Sequence, residues 1–280
     1  MPQYHPPRSL AGQPFSWVIA DFQPDLDALQ AFVRAFPSEP GIRQVIAPVA
    51  IPTLEPGLEA TEVPAEAGQG MGGWLSRALV EARFERVLVL GGPVERYPSG
   101  ATLSLMADKL DLAHLVLAPR PQNRPGALAR GMHGLWNGMA RWILALEAKP
   151  EPRWPGWSAW TRRLASRWVL AVPGNDPGTP HRMLRREMIP SLNLQSASGF
   201  AWVEMVAKAT FLGALVEELP TPTRGEGDPP VIPAEPDWWR DFRKLCSDPV
   251  FGRPWNPHQA DSPGTESQGP PIVDPAQTAV

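Results

Sequence analysis

The stretch "GNDPGTPHRMLRREMIP", residues 174–190, holds much of the chemistry this chain could offer a substrate. Asp176 precedes a Pro-Gly turn, and Arg182, Arg185 and Arg186 follow it. Arginine forks match phosphate oxygens. The competing reading is that Asp176 only organises the turn through its own side chain. Arg224, in "LPTPTRGEG", lies in a loop directly after the last strand, where by itself an arginine reads as solvated surface. Gly68, Gly70 and Gly73 in "GQGMGG" satisfy G-x-G-x-x-G. A dinucleotide fingerprint also needs a strand immediately before it and an acid about 20 residues on. Here "EVPAEA" precedes, and the next strand runs into Gly91-Gly92, so that reading is set aside. Two readings remain: a flexible helix entry, or a helix start at Gly68 and Gly70 whose amides contact an anionic ligand.

Other chemistries lack candidates. His5, His114, His133, His181 and His258 show no H-x-x-x-H spacing and no neighbouring cysteine, against a histidine-based zinc site. No serine sits in G-x-S-x-G, and the single cysteine, Cys246, lies in a proline-rich region, which leaves covalent catalysis without a nucleophile. "VLVLGGPVERYPSG", residues 87–100, is a strand whose end should face ligand in an α/β protein. It ends in two glycines and a proline where a metal site would need carboxylates.

Residues 120–168 carry eight arginines and one lysine against two glutamates, an excess of seven positive charges, and six of the twelve tryptophans. Arginine beside tryptophan suits a lipid headgroup interface or stacking on a nucleotide base. The competing reading is a helical pair that buries the tryptophans and solvates the arginines. The whole chain carries −3, so nothing global points to nucleic acid. No apolar signal core and no run of 18 apolar residues is present, so a cytoplasmic protein with at most peripheral membrane contact is expected.

These residues need a scaffold. Apolar stretches at 15–20, 43–52 (a short strand stopped by Pro48 and Pro52), 58–63, 86–90 and 112–119 alternate with helical patterns at 26–36, 68–84 (entered through a glycine-rich turn) and 99–110, which argues for α/β, a mostly parallel sheet covered by helices on both faces. Further helical patterns follow at 127–148, 156–172 and 199–213, with a returning strand at 214–220. The expected organisation is an irregular segment 1–14, one domain over 15–220, and a mostly irregular tail over 221–280, where 12 prolines fall, with one short helix near 236–246.

The order of these pieces resembles the family 2 glycosyltransferases of the GT-A fold, most closely the dolichyl- or polyprenyl-phosphate mannose synthase type. The resemblance rests on Asp176-Pro177, Arg182, Gly199-Phe200, Glu204 and Glu218-Leu219-Pro220, with "GQGMGGWLSRAL" similar to the family's glycine-rich helix entry and Arg224 with Gly227 similar to its phosphate-handling loop. It implies a three-layer domain, an arginine-bearing strand at Arg182, a nucleotide sugar as donor and a polyprenyl phosphate as acceptor. It also implies Mg²⁺ or Mn²⁺ held by an Asp-x-Asp at the end of the "RVLVL" strand. Gly91-Gly92-Pro93 stands there instead, so no metal ligand and no cofactor is assigned. The expected function is therefore a glycosyltransferase-like protein with impaired or absent catalysis, with Asp176 nearest the acceptor chemistry. The alternatives are an active metal-independent transferase, in which Arg182 and Arg224 replace the cation, and a non-enzymatic peripheral membrane or scaffold protein with a protein partner.

Overall fold

The computed structural model describes residues 14–22, 25–35, 42–51, 58–120, 157–220 and 237–255. Seven strands form one sheet: β1 (Phe15–Ala20), β2 (Ile42–Ala47), β3 (Glu59–Glu62), β4 (Arg86–Gly91), β5 (Leu115–Leu117), β6 (Arg182–Arg185) and β7 (Val216–Glu218). Their order is β3-β2-β1-β4-β6-β5-β7. β6 is antiparallel to both its neighbours, and the other pairs are parallel. The mostly parallel sheet is as the sequence suggested.

Strand alternation divides the core in two. Val18, Ile46, Val87, Val89, Leu115, Leu117 and Leu184 face one side. There they meet α2 (Met71–Val80), α5 (Ile189–Leu192), α6 (Ala201–Phe211) and α7 (Trp238–Ser247). Trp17, Ile19, Val45, Leu88, Leu90, Val116 and Met183 face the other, against α1 (Leu26–Ala35) and α3 (Gly100–Leu110). Strands with both faces apolar read as unbroken runs such as "VLVL", because helices cover the sheet on each side. The three-layer α/β/α class follows from these two cores.

The helices start where local chemistry allows. Ser99 caps α3, its Oγ accepting from the Thr102 amide at 3.3 Å. The start of α2 at Gly70 has no side-chain cap. Its first amides are instead taken by a neighbouring loop: Met71 N–H donates to the Ala197 carbonyl at 3.0 Å and Gly72 N–H to the Ser196 carbonyl at 2.8 Å. A Cβ on Gly70 would collide with the Ala197 main chain, so this approach needs glycine. α4 (Trp157–Val169) ends the basic, tryptophan-rich stretch. The 127–148 helical pattern, the segment 1–13 and Arg224 lie outside the described residues, as do 256–280.

The described part of the expected tail is ordered against the domain. Trp238 and Leu245 of α7 are buried, and Trp238 stacks on Phe242 at 5.4 Å. Asp241 accepts from the Ser198 amide at 2.8 Å and the Ser198 hydroxyl at 2.7 Å, which ties α7 to the loop before α6.

Candidate functional site

All strands except β6 run the same way, so one edge of the sheet collects their carboxyl ends, together with the start of β6. Leu117 is opposite Arg182 on one side and Glu218 on the other, and Val89 is opposite Arg182. The loop 173–181 crosses this edge on its way into β6, which brings Asp176 to the ends of β5 and β7.

Asp176 is buried and receives three bonds from Arg120, which follows β5 by three residues. The Arg120 Nε–H donates to Oδ2 at 2.8 Å, an outer guanidinium nitrogen donates to Oδ1 at 2.6 Å, and the Arg120 amide donates to Oδ2 at 3.0 Å. The Asp176 carboxylate raises the Arg120 pKa, with burial opposing it. Glu218 holds the same loop from below: its carboxylate accepts from the Asn175 amide at 2.5 Å and the Asp176 amide at 2.7 Å. Gly174, at φ +90°, lets the chain turn there, and a Cβ on it would lie 2.9 Å from a Glu218 oxygen.

Arg182 is fully buried. Its guanidinium donates to the Trp202 carbonyl at 2.7 Å and to the Pro177 and Thr179 carbonyls, and lies 4.9 Å over the Trp202 ring. Burial lowers its pKa to about 9, with Asp176 opposing, so it remains a cation at neutral pH. The outer guanidinium nitrogens of Arg182, expected to meet phosphate, serve the carbonyls of the loop and of Trp202, while its buried Nε has no hydrogen-bond partner. At the Gly68–Gly70 helix entry the next two amides, of Met71 and Gly72, are taken by carbonyls of the 196–197 loop. His181, also buried, leans edge-on against Tyr97 at 5.9 Å, and its Nδ1 has no hydrogen-bond partner. Burial first, then Arg120 and Arg182, bring its pKa down to about 3, while Asp176 and a bond to the Arg96 main chain pull the other way.

Packing at the end of β4 accounts for Gly91, and a φ of +79° accounts for Gly92. A Cβ on Gly91 would lie 2.8 Å from the Pro180 Cβ and 2.9 Å from Cζ2 of Trp202. The indole, from the first turn of α6, sits directly on the strand end with the Arg182 guanidinium beside it. A divalent cation of the kind the resemblance implies needs hard oxygen ligands, normally carboxylates. Gly91 and Gly92 supply only main-chain oxygens, and an indole and a proline close the space over Gly91. Among the described residues no three of His, Cys, Asp and Glu come together as a metal-binding group. The residues at this strand end do not fit the ion.

The sequence singled out Asp176 and Arg182 but missed Arg120, Trp202 and His181 as parts of this edge. Arg120 was counted only within the basic segment. Its position just past a strand end was the available signal. For Trp202, the signal was Gly91, a residue without a side chain at the end of an apolar strand, which leaves room for a large group.

No protein-family model matches the chain, and no curated protein matches it. Among solved structures it is similar to glucosyl-3-phosphoglycerate synthase from Mycobacterium tuberculosis, at 13% identity over 86% of this chain and 84% of that one, with a TM-score of 0.46. A structure of that synthase with Mn²⁺, UDP-glucose and phosphoglyceric acid gives 11% identity over 81% and 79%, with a TM-score of 0.42. A structure described as a mycobacterial protein gives 14% identity over 86% and 78%, with a TM-score of 0.46. At these values the chemistry is to be read from this chain's own residues.

Proposed function

We propose that this chain is a glycosyltransferase-like protein that binds a nucleotide-sugar class ligand at the carboxyl edge of its sheet and does not catalyse metal-assisted sugar transfer. The observation that carries the proposal is the end of β4, where Trp202 and Pro180 pack on Gly91 in place of cation-holding acids. A transferase that releases a nucleoside diphosphate must stabilise the charge developing on it. Losing the stabilising cation costs several kcal/mol of barrier, or orders of magnitude in rate.

The scaffold reading is supported by convergence. The residues that carry the resemblance are scattered from 176 to 220, yet Glu218 bonds the Asp176 loop and Arg182 bonds the carbonyls of that loop and of Trp202. Glu204 accepts from the amides of Gln195 and Ser196 at 2.9 Å. In this reading Arg182 and Glu218 shape the edge, and the half-exposed Arg120 presents charge to a ligand. Asp176 keeps Arg120 in place. Arg224, outside the described residues, is assigned the phosphate contact by resemblance alone, as the polyprenyl phosphate acceptor is.

Isothermal titration with UDP and GDP, each with Mn²⁺ and with EDTA, tests the proposal. Transfer assays from UDP-glucose and GDP-mannose to a polyprenyl phosphate complete it. The expected result is nucleotide binding of equal affinity in both buffers, weakened by Arg120→Ala, with no transfer. Tight binding only with Mn²⁺, or Mn²⁺-dependent turnover, would overturn the lost-metal reading. Turnover in EDTA would establish the metal-independent alternative, and no binding in either buffer would end the nucleotide assignment.

A further inference from the structure

We infer that the outer faces of α4 and α7 form a docking surface for an anionic lipid membrane. The two helices are neighbours: the Arg162 guanidinium of α4 lies 5.8 Å over the Trp238 ring of α7. Both are held down by an inner face. Ser166 and Leu170 at the end of α4 are buried, as are Trp238, Asp241 and Leu245 of α7. What remains outside is an unusual mixture. α4 exposes Arg167, Trp168 and Val169, the tryptophan at 48% and the valine at 58%. α7 exposes Trp239 at 41%, with Arg240, Arg243 and Lys244 on the same helix.

Charge selects the occupant. α4 contains three arginines and no acid, and the one acid within α7, Asp241, is buried on Ser198. Asp237 and Asp248, at the two ends of α7, are exposed, and Asp237 is paired with Arg240 at 3.0 Å. With Arg167 of α4 and Arg243 and Lys244 of α7 exposed, this face presents a local positive charge in a chain of −3 net, which orients it toward negative charge. Exposed tryptophan and valine among the cations distinguish a membrane from a nucleic acid. A headgroup region takes up aromatic and aliphatic side chains while its phosphates meet the arginines, whereas a phosphodiester backbone offers the valine nothing. No helix among the described residues is long and apolar enough to cross a membrane, and this surface needs none, because it would lie in the interface.

Co-sedimentation of the full chain with vesicles tests this. The vesicles are pure phosphatidylcholine and phosphatidylcholine with phosphatidylglycerol at about 30 mol%, a density typical of anionic leaflets. Binding is expected to the anionic vesicles only, to fall with added salt, and to blue-shift the tryptophan emission. Arg167→Glu with Arg243→Glu should weaken partitioning roughly tenfold or more, since each basic residue near such a surface contributes severalfold. Trp168→Ala should weaken it without changing the salt dependence. Circular dichroism and urea unfolding of each variant separate lost binding from lost folding, and all three sites are on the surface. Equal or negligible binding to both vesicles, or charge-reversed folded variants that bind as before, would overturn the inference. So would tighter binding to a labelled single-stranded oligonucleotide than to the anionic vesicles.

Discussion

His181 shows what burial does to one side chain. Its imidazole is packed beside two arginines, where a third positive charge would be desolvated and repelled, and its pKa falls to about 3. In the unfolded chain the same ring titrates near 6.5. The unfolded state therefore binds the extra proton first. The stability that His181 confers by staying neutral is complete above about pH 6.5 and is lost progressively as pH falls toward 3. Urea unfolding at pH 7, 6, 5 and 4 should show a loss attributable to His181 of roughly 3 kcal/mol across that range. His181→Gln should remove that part of the slope and leave the part due to carboxylates. Equal slopes for the two proteins would show that His181 is hydrated in the native state. The Arg120–Asp176 pair beside it has the opposite character, because each charge there is stabilised by the other.

α6 acts as the anchor for its surroundings. Glu204 and Lys208, one turn apart and both fully buried, are 2.7 Å from each other. Glu204 holds the 195–196 amides, and Lys208 donates to the Asn193 carbonyl at 2.6 Å and the Val250 carbonyl at 2.7 Å. A buried pair adds little over apolar residues of the same size, yet removing one partner strands the other. Glu204→Gln is expected to cost about 3–5 kcal/mol, and Glu204→Gln with Lys208→Met to recover part of that loss. Denaturant unfolding of the two singles and the double gives the coupling. Strict additivity would mean that the pair is not desolvated. The same helix places Trp202 on Gly91, so the stability of α6 and the closure of the β4 end are one feature.

At the scale of the molecule, residues 237–255 are part of the fold rather than an appendage. They bury Trp238 and Leu245, pair Asp241 with Ser198 and supply the Val250 carbonyl to Lys208. A chain ending at residue 236 should therefore lose at least about 3 kcal/mol in urea unfolding, the cost of stripping one buried tryptophan and leaving a buried lysine short of a partner. An unchanged unfolding curve would show that this segment folds apart from the domain.

Period and punctuation made much of this legible in advance. β1 was readable to the residue, and α1, α2, α3, α6 and α7 within a few residues, because apolar spacing and glycine or proline stops act locally. The glycine-rich entry to α2 and the missing acids after β4 were also plain from residue types alone. Tertiary structure alone decided the rest. β6 has only four residues and no periodicity of its own, and its antiparallel place between β4 and β5 depends on pairing across long stretches of chain. That the outer nitrogens of Arg182 hold the carbonyls of the 177–179 loop and of Trp202 depends on the burial of that side chain. Gly91 read as an emptied site until an indole 111 positions later was found standing on it. Local propensity is written in neighbouring residues, whereas burial and close approach arise only when distant segments meet, and these decided what the edge of this sheet can hold.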